Sequence, residues 1–350
     1  MIRRLLLPAG LALCLCLGLW ARQALVPRIQ SETLYVFGTL VEVEIEGVSD
    51  RRASEAMAAL GQLFRRLHRD WHAWRPGELG RLNQAIARGD SFESSPGLAA
   101  LLAEGQELSS ESGGLFDPGI GAMIGLWGFH ADLPPEGPPP PDAEIEALAA
   151  RHPSIAVLQI DGTRISSPNP AVQLDLGGFA KGAALDLAAE ELRRRGISNA
   201  VLNAGGDVNV LGRKGARPWR VAIRSPFDWG AVAALDVQPG EMVYTSGNYE
   251  RFLDQDGIRF SHILDPRSGR PVQGIVSATV LARNGALADA AATALSVAGP
   301  AHWQDTARAM GIDAALLIDD RGRISMTPAM AARVQLLEPA PVEIAGLGPQ

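Results

Sequence analysis

VQLDLGGFAKGAALDLAAEELRRRGI, residues 172–197, decides how the chain is read. It opens with alternating apolar and polar residues and passes through Gly177-Gly178. It continues as a helical pattern in which Ala184, Leu185, Ala188 and Leu192 share one apolar stripe. Three arginines and then Gly196 end the pattern, as at many helix C-termini. The expected order is strand, glycine turn, helix. Such a turn aims backbone N–H groups and the positive end of a helix at an anion. Its spacing is neither a Walker loop nor G-x-G-x-x-G, so it suggests phosphate without naming a nucleotide. A tight connection in which glycine only allows positive φ explains the same residues.

A second helical run, LADAAATALSVAG (287–299), is rich in alanine and carries Asp289 and Thr293 four residues apart. On a helix their β-carbons lie roughly 5–6 Å from each other on one face. Both are oxygen donors of the kind that hard cations take. The bland alternative is that Thr293 bonds the carbonyl one turn back and Asp289 caps a helix start. His262, in SHILDPRSG, is the side chain best suited to proton transfer near neutral pH, though a histidine beside a turn is often structural. No carboxylate is fixed beside it by spacing, so a protease-type triad has no support. GLFDPGIGAMIGLWGF (114–129) combines glycines, which permit close backbone approach, with aromatics that stack on a flat ligand or close a core. Asn203-Ala-Gly-Gly-Asp207 and Thr245–Glu250 are polar loops between apolar strands, built of ordinary turn residues.

Outward from these segments the chain alternates strands and helices without a regular βαβ repeat. TLYVFGTLVEVEIEG (33–47), AVLNAGGDVNVLG (200–212) and AALLIDDRGRISM (314–326) read as strand pairs, and IAVLQIDGTRISS (155–167) as a hairpin turning at Asp161-Gly162. IVSATVLA (275–282) reads as a buried strand; residues 51–69 and 97–112 read as helices. Proline-rich 131–142 is a surface excursion. The class is α+β, with much antiparallel sheet.

The 350 residues are 47% hydrophobic and 20% charged, a globular balance, with a net charge of −7. No basic stripe with interleaved aromatics is present, and nucleic acid is excluded as a partner. Arg3 and Arg4 precede an apolar run from Leu5 to Trp20, which reads as an export signal kept as an anchor or as a lipoprotein-like leader over residues 1–30. Both cysteines, Cys14 and Cys16, lie inside it, so the body has no thiol for a nucleophile, a disulfide or a zinc site. Its chemistry must come from oxygen and nitrogen groups.

Eight ordered blocks, taken together, are similar to the ApbE family of FAD:protein FMN transferases. They are FGT (37–39), RPGELGRLN (75–83), GLFDPGIGAMIGLWGF (114–129), LDLGGFAKGAALD (174–186), VLNAGGDV (201–208), YTSGNYE (244–250), HILDPRSGRP (262–271) and ADAAATAL (288–295). The resemblance implies a two-lobed, T-fold-related α+β domain over residues 31–340, with 341–350 as a tail. It implies Mg²⁺-dependent transfer of FMN from FAD to a Thr or Ser hydroxyl of an acceptor protein, with release of AMP. Hydrolysis of FAD to FMN and AMP, or flavin binding without catalysis, are the rival activities. The implied acceptor is a subunit of a membrane electron-transport complex. The implied location is the periplasmic side of the bacterial cytoplasmic membrane, with the leader as tether.

Residue by residue, the resemblance puts the metal on Asp289, Thr293 and the carbonyl of Ala180. It puts the flavin against Phe37, Trp74, Leu115, Phe116, Asp117, Gly177, Ala183 and Ile263, and gives His262 a part in the transfer. Two positions depart from the family pattern. Trp74 stands where a tyrosine is common, and Ala292 where some relatives carry a second metal-site aspartate.

Overall fold

The structure is a computed structural model describing residues 29–348 except 132 and 134. The leader expected over residues 1–30 therefore lies outside the described residues, apart from Ile29 and Gln30, which already begin the first strand. Among the described residues no helix is long and apolar enough to cross a membrane.

One nine-stranded sheet organises the molecule, and its strands follow one another in space in the order they occur in the chain. Numbering only this sheet, they are β1 (Ile29–Val36), β2 (Thr39–Glu46), β3 (Ala200–Ala204), β4 (Asp207–Leu211), β5 (Met242–Gly247), β6 (Ile275–Ala282), β7 (Ala314–Asp319), β8 (Ile324–Met326) and β9 (Val342–Ile344). Neighbours are antiparallel except β8 and β9, which run parallel. A meander of this kind brings alternate connections to the same end of the sheet. The Phe37-Gly38 turn, the Gly205-Gly206 turn, the end of β5 and the start of β6 all meet at one end. Phe37 and Gly38 both have positive φ (56° and 73°), the backbone that a two-residue hairpin turn requires.

Between β2 and β3 the chain builds most of a helical layer: α1 (Asp50–Asp70), α2 (Glu78–Arg88), α3 (Pro96–Glu111), α4 (Gly121–Leu126), α5 (Asp142–Ala149) and α6 (Ala180–Arg194). The long α7 (Gly285–Ala309) joins it between β6 and β7. The opposite face of the sheet is covered by a small antiparallel sheet, 219–224, 231–237 and 334–336.

Side-chain parity assigns each strand residue to one layer. On β7, Ala315 and Leu317 face the helices, whereas Ala314, Leu316 and Ile318 face the small sheet. On β4 and β5, Val208, Val210 and Val243 enter the sheet-on-sheet core, while Asn209 and Tyr244 turn toward the helices. The two lobes implied by the resemblance are these two buried clusters, divided by the long sheet.

Several sequence expectations need revision. Residues 172–176 form no strand; they make one parallel bridge, Ile120 to Gln173, and a further backbone bond from Asp175 N–H to the Pro118 carbonyl at 2.8 Å. The backbones approach closely there: a β-carbon on Gly121 would sit 2.6 Å from the Gln173 carbonyl oxygen. α7 is broken at Gly299, whose backbone is non-helical (φ 71°, ψ −179°), so the alanine-rich run ends there as its Gly-Pro pair signals, and a second helical segment continues from Pro300 to Ala309. The tail expected over 341–350 contributes the edge strand β9 instead.

Candidate active site

The site begins with the crossing of α6 and α7. Gly182 and Gly285 meet there: a β-carbon on Gly182 would lie 2.1 Å from the Gly285 carbonyl oxygen. Two glycines, with Ala288, Ala290, Ala291, Ala292 and Ala294 buried along α7, let the helix backbones approach more closely than larger side chains would allow. The N-terminus of α7 is fixed by two caps. Asn284 accepts the Leu287 N–H, and Asp186 Oδ2 accepts the N–H groups of Gly285 (2.7 Å) and Ala286 (3.3 Å). Asp186 Oδ1 takes a bond from Asn209 on β4, whose Oδ1 accepts the Tyr244 hydroxyl of β5 at 2.7 Å. Burial pushes the Asp186 carboxyl up to about 6, against the opposing pull of the Gly285 N–H. A buried polar chain thus ties α6, α7 and two strands together.

That crossing carries Asp289, only 3% exposed, to the first turn of α6. Its Oδ2 accepts the Gly182 N–H at 3.1 Å, and its Oδ1 lies 3.4 Å from Lys181 Nζ. Lys181 is held more tightly, at 2.9 Å, by Asp207 Oδ2 at the start of β4. Asp207 is oriented by its other oxygen, which accepts the Thr245 N–H at 3.1 Å. One turn along α7, Thr293 Oγ1 is 3.1 Å from Ser246 Oγ at the end of β5. Burial lowers the pKa of Lys181, but Asp207 and then Asp289 outweigh it and the ammonium stays charged. Burial raises the Asp289 carboxyl against the pull of Lys181, with Asp207 adding to the rise. The two shifts describe one arrangement: two acids share a single ammonium, so negative charge remains in excess.

This donor set is hard and oxygen-rich: one buried carboxylate, two hydroxyls and the backbone of Ala180, which opens α6 next to Lys181. Among the described residues no three His, Cys, Asp or Glu side chains gather as a metal cluster. The protein can supply only part of a coordination shell. That composition fits a cation such as Mg²⁺, which keeps several waters or phosphate oxygens of its own.

The residues expected against the flavin fall into three linked groups. Phe116 packs edge-on against Phe179, with ring centroids 5.5 Å apart. A β-carbon on Gly178 would lie 3.2 Å from the Phe116 ring and 3.6 Å from Thr293 Oγ1, which sets this aromatic beside Thr293. Ala183 is buried in the same helix turn region. Leu115 and Ile263 pack together with Val272 and with Val297, one turn beyond Thr293. Trp74 lies over Gly125, and its indole N–H donates to Asp175 Oδ2 at 3.0 Å; Asp175 Oδ1 accepts the Gly177 N–H at 2.8 Å. Phe37 connects to Trp74 through two imidazoles. His68 Nδ1 accepts the Phe37 N–H, His72 Nδ1 accepts the Trp74 N–H, and the two rings are 5.4 Å apart.

Asp117 faces inward. Its Oδ1 accepts the N–H groups of Gly119 (2.7 Å) and Ile155 (2.8 Å), so its carboxylate holds the glycine loop in shape. Burial raises its pKa, opposed by the Ile155 bond.

His262 Nδ1 lies 3.0 Å from the Arg251 carbonyl oxygen. A carbonyl only accepts, so Nδ1 carries the proton and Nε2 keeps its lone pair. Burial lowers the imidazole pKa to about 4, against the carbonyl's opposing effect, and the ring is neutral at pH 7 even though it retains some exposed surface. Three supporting residues escaped the sequence reading. Lys181 and Asp175 lie inside the 172–197 segment and Asp207 closes the Asn203–Asp207 loop, but nothing in the sequence sets them apart from their neighbours. Each is one charge in a turn, and only the fold shows what it faces.

Fold and site together define an α+β protein whose long meander holds an oxygen-rich helix crossing next to aromatic side chains. The sequence model of the ApbE family matches residues 37–316, and the chain belongs to that family. It is 55% identical over 352 residues to an FAD:protein FMN transferase of Rhodobacter capsulatus, covering 99% of this chain and 67% of that one. A protein of the same name from Vibrio cholerae is 34% identical over 245 residues, 69% of this chain and 72% of its own. Among solved structures, the ApbE protein of Thermotoga maritima superposes with a TM-score of 0.79 at 26% identity, covering 87% of this chain and 99% of that one. The flavin transferase ApbE of Vibrio cholerae gives 0.77 at 29% identity, over 88% and 99%.

Proposed function

We propose that this chain transfers FMN from FAD to a Thr or Ser hydroxyl of an acceptor protein, with Mg²⁺ as the required cation. Family membership makes it a transferase; the cation, the acceptor hydroxyl and the release of AMP are the finer parts of the proposal. The observation that carries it is the buried carboxylate Asp289, set one turn from Thr293 and against the first turn of α6.

In this reading Asp289, Thr293 and the Ala180 carbonyl hold the ion, which when bound offsets negative charge on a diphosphate during phosphoryl transfer. The start of α6 presents its N–H end to the same anion. Trp74, Phe116, Leu115 and Ile263 orient the flavin, with Phe37 and Gly177 at its margins. His262 accepts the acceptor hydroxyl proton at Nε2. The hydroxyl oxygen bonds to the phosphorus of the FMN half, the bond to the bridging oxygen breaks, and AMP leaves with that oxygen. The setting we propose is the periplasmic side of the cytoplasmic membrane, with residues 1–30 as tether and a subunit of a membrane electron-transport complex as acceptor.

The test is mass spectrometry of a candidate acceptor after incubation with this protein, FAD and Mg²⁺. A mass gain of one FMN on a Thr or Ser supports the reading; FMN and AMP released with no labelled acceptor supports hydrolysis instead. Asp289→Ala is expected to abolish labelling, and undiminished labelling removes the cation from the account. His262→Ala is expected to slow transfer by roughly 10²–10⁴-fold with little change in FAD affinity, since a proton acceptor acts mainly in the transition state. Equal losses of both would make His262 a structural residue.

A further inference from the structure

We propose that Lys181 is a built-in competitor of the cation: its ammonium occupies the charge of Asp289 in the metal-free protein and gives way to Asp207 when the ion arrives. The inference rests on the reading of Asp289 as a cation ligand and deepens it.

The geometry is asymmetric in the way such a device needs. Lys181 Nζ is 2.9 Å from Asp207 Oδ2 but 3.4 Å from Asp289 Oδ1. Asp207 is the tighter partner, and it is fixed in turn by the Thr245 N–H. Asp289 does not depend on Lys181 for its orientation, because Gly182 N–H holds Oδ2 at 3.1 Å. Oδ1 can therefore exchange its partner while the carboxylate keeps its place. Both carboxylates are buried, and an isolated buried charge is costly, so a metal-free site with no ammonium would leave two anions unpaired. With Lys181 present the three groups sum to one excess negative charge. That residual charge still attracts a cation, yet the ion must displace one ammonium contact to reach Oδ1.

Competition makes a prediction opposite in sign to that of a supporting role. Removing a residue that merely supports a site weakens binding, whereas removing a competing charge strengthens it. The experiment is direct titration of the purified protein with Mn²⁺, in the absence of FAD, followed by the electron paramagnetic resonance signal of the free ion. Lys181→Met is expected to bind Mn²⁺ on the order of tenfold more tightly than the wild type, from the loss of a like charge a few ångströms away. Lys181→Arg, which keeps the charge, is expected to stay at or below wild-type affinity.

Asp207→Asn keeps an acceptor for Thr245 N–H but loosens the other hold on Lys181. The ammonium then leans on Asp289, and Mn²⁺ binding is expected to weaken on the order of tenfold. This second variant answers the question if Lys181→Met fails to fold. Unchanged or weakened binding in Lys181→Met, or unchanged binding in Asp207→Asn, overturns the inference. Asp289→Asn separates the two layers of the argument. If it loses Mn²⁺ while Lys181→Met shows no gain, only the competitor falls. If it binds Mn²⁺ as the wild type does, the cation site itself falls and the competitor with it.

Discussion

The two faces of the long sheet are packed by different rules. The face under the small sheet is filled by Val208, Val210, Trp219, Leu235, Leu316 and Ile318, large apolar side chains that interlock across two sheets. The face under α6 and α7 is lined with alanine and glycine near the site, and the space that large side chains would occupy is taken up by close helix approach. The buried charges of the site lie on the helix side: strand parity directs Asp207 there with Asn209, and Asp289 stands on α7 itself. The buried polar groups opposite Ile318 and Leu316 on the other face are the uncharged Ser277 and Thr279. One face is built for cohesion, and the other gives up side-chain volume to bring backbone N–H groups and carboxylates within bonding distance.

Gly182→Val attacks the second rule and should have the largest effect. Its side chain would collide with the Gly285 backbone, so α6 and α7 must separate. Asp289 then loses the Gly182 N–H, and a shift near 1 Å at such a site costs on the order of 10²-fold in rate. Transfer to the acceptor measures it; a variant that still labels at the wild-type rate would show that the close crossing is dispensable. Leu316→Ala attacks the first rule. Leu316 is fully buried between the sheets, and its truncation should cost about 2–5 kcal/mol in a urea titration. The folded remainder should keep its FAD affinity, because Leu316 faces away from the helix crossing. Loss of affinity in proportion to stability would mean that the faces are not independent.

The same division explains what could be read from the sequence. Periodicity found β6 at its observed limits, the strand pairs around Gly205-Gly206 and Asp320–Gly322, and the helices at 50–70 and 96–111, because each pattern records burial on one side. It placed the end of the alanine-rich run at Gly299, where the backbone leaves the helix, but not the second segment after Pro300, which buries Trp303 and Ala307. Strand 231–237 is not legible in the sequence, since AVAALDV alternates too weakly to be told from helix. Asp289 and Thr293 were legible as a pair from helical spacing alone. Lys181 and Asp207 were not, because 26 residues and a strand reversal separate them and only the meander brings them to one end of the sheet.

Asp186→Asn tests the polar chain behind the crossing. The carboxylate accepts from Asn209 on one oxygen and from two helix N–H groups on the other. An amide in its place must turn its NH₂ toward one of those donors, leaving a buried donor unsatisfied at about 1–3 kcal/mol. The effect should appear in the urea midpoint, with a smaller loss of transfer because α7 remains seated by Asn284. An unchanged midpoint would mean that the network contributes nothing net.

The smallest effect concerns pH. His262 has a folded value near 4, whereas an unfolded histidine titrates near 6.5. Between those values the unfolded chain takes up a proton that the native state refuses, so the unfolded state binds more protons and stability falls as pH drops. The loss begins below about 6.5 and stops near 4, where the native imidazole is protonated as well. His262→Gln removes this proton difference, and its amide can still donate toward the Arg251 carbonyl. Urea midpoints taken at pH 7 and at pH 5 should therefore converge: the wild type loses stability between them, and the variant loses less. The Leu316→Ala protein keeps His262 and should show the same pH slope as the wild type, displaced to lower stability. If all three slopes coincide, His262 is open enough to water to titrate normally, and its Nε2 lone pair owes nothing to burial.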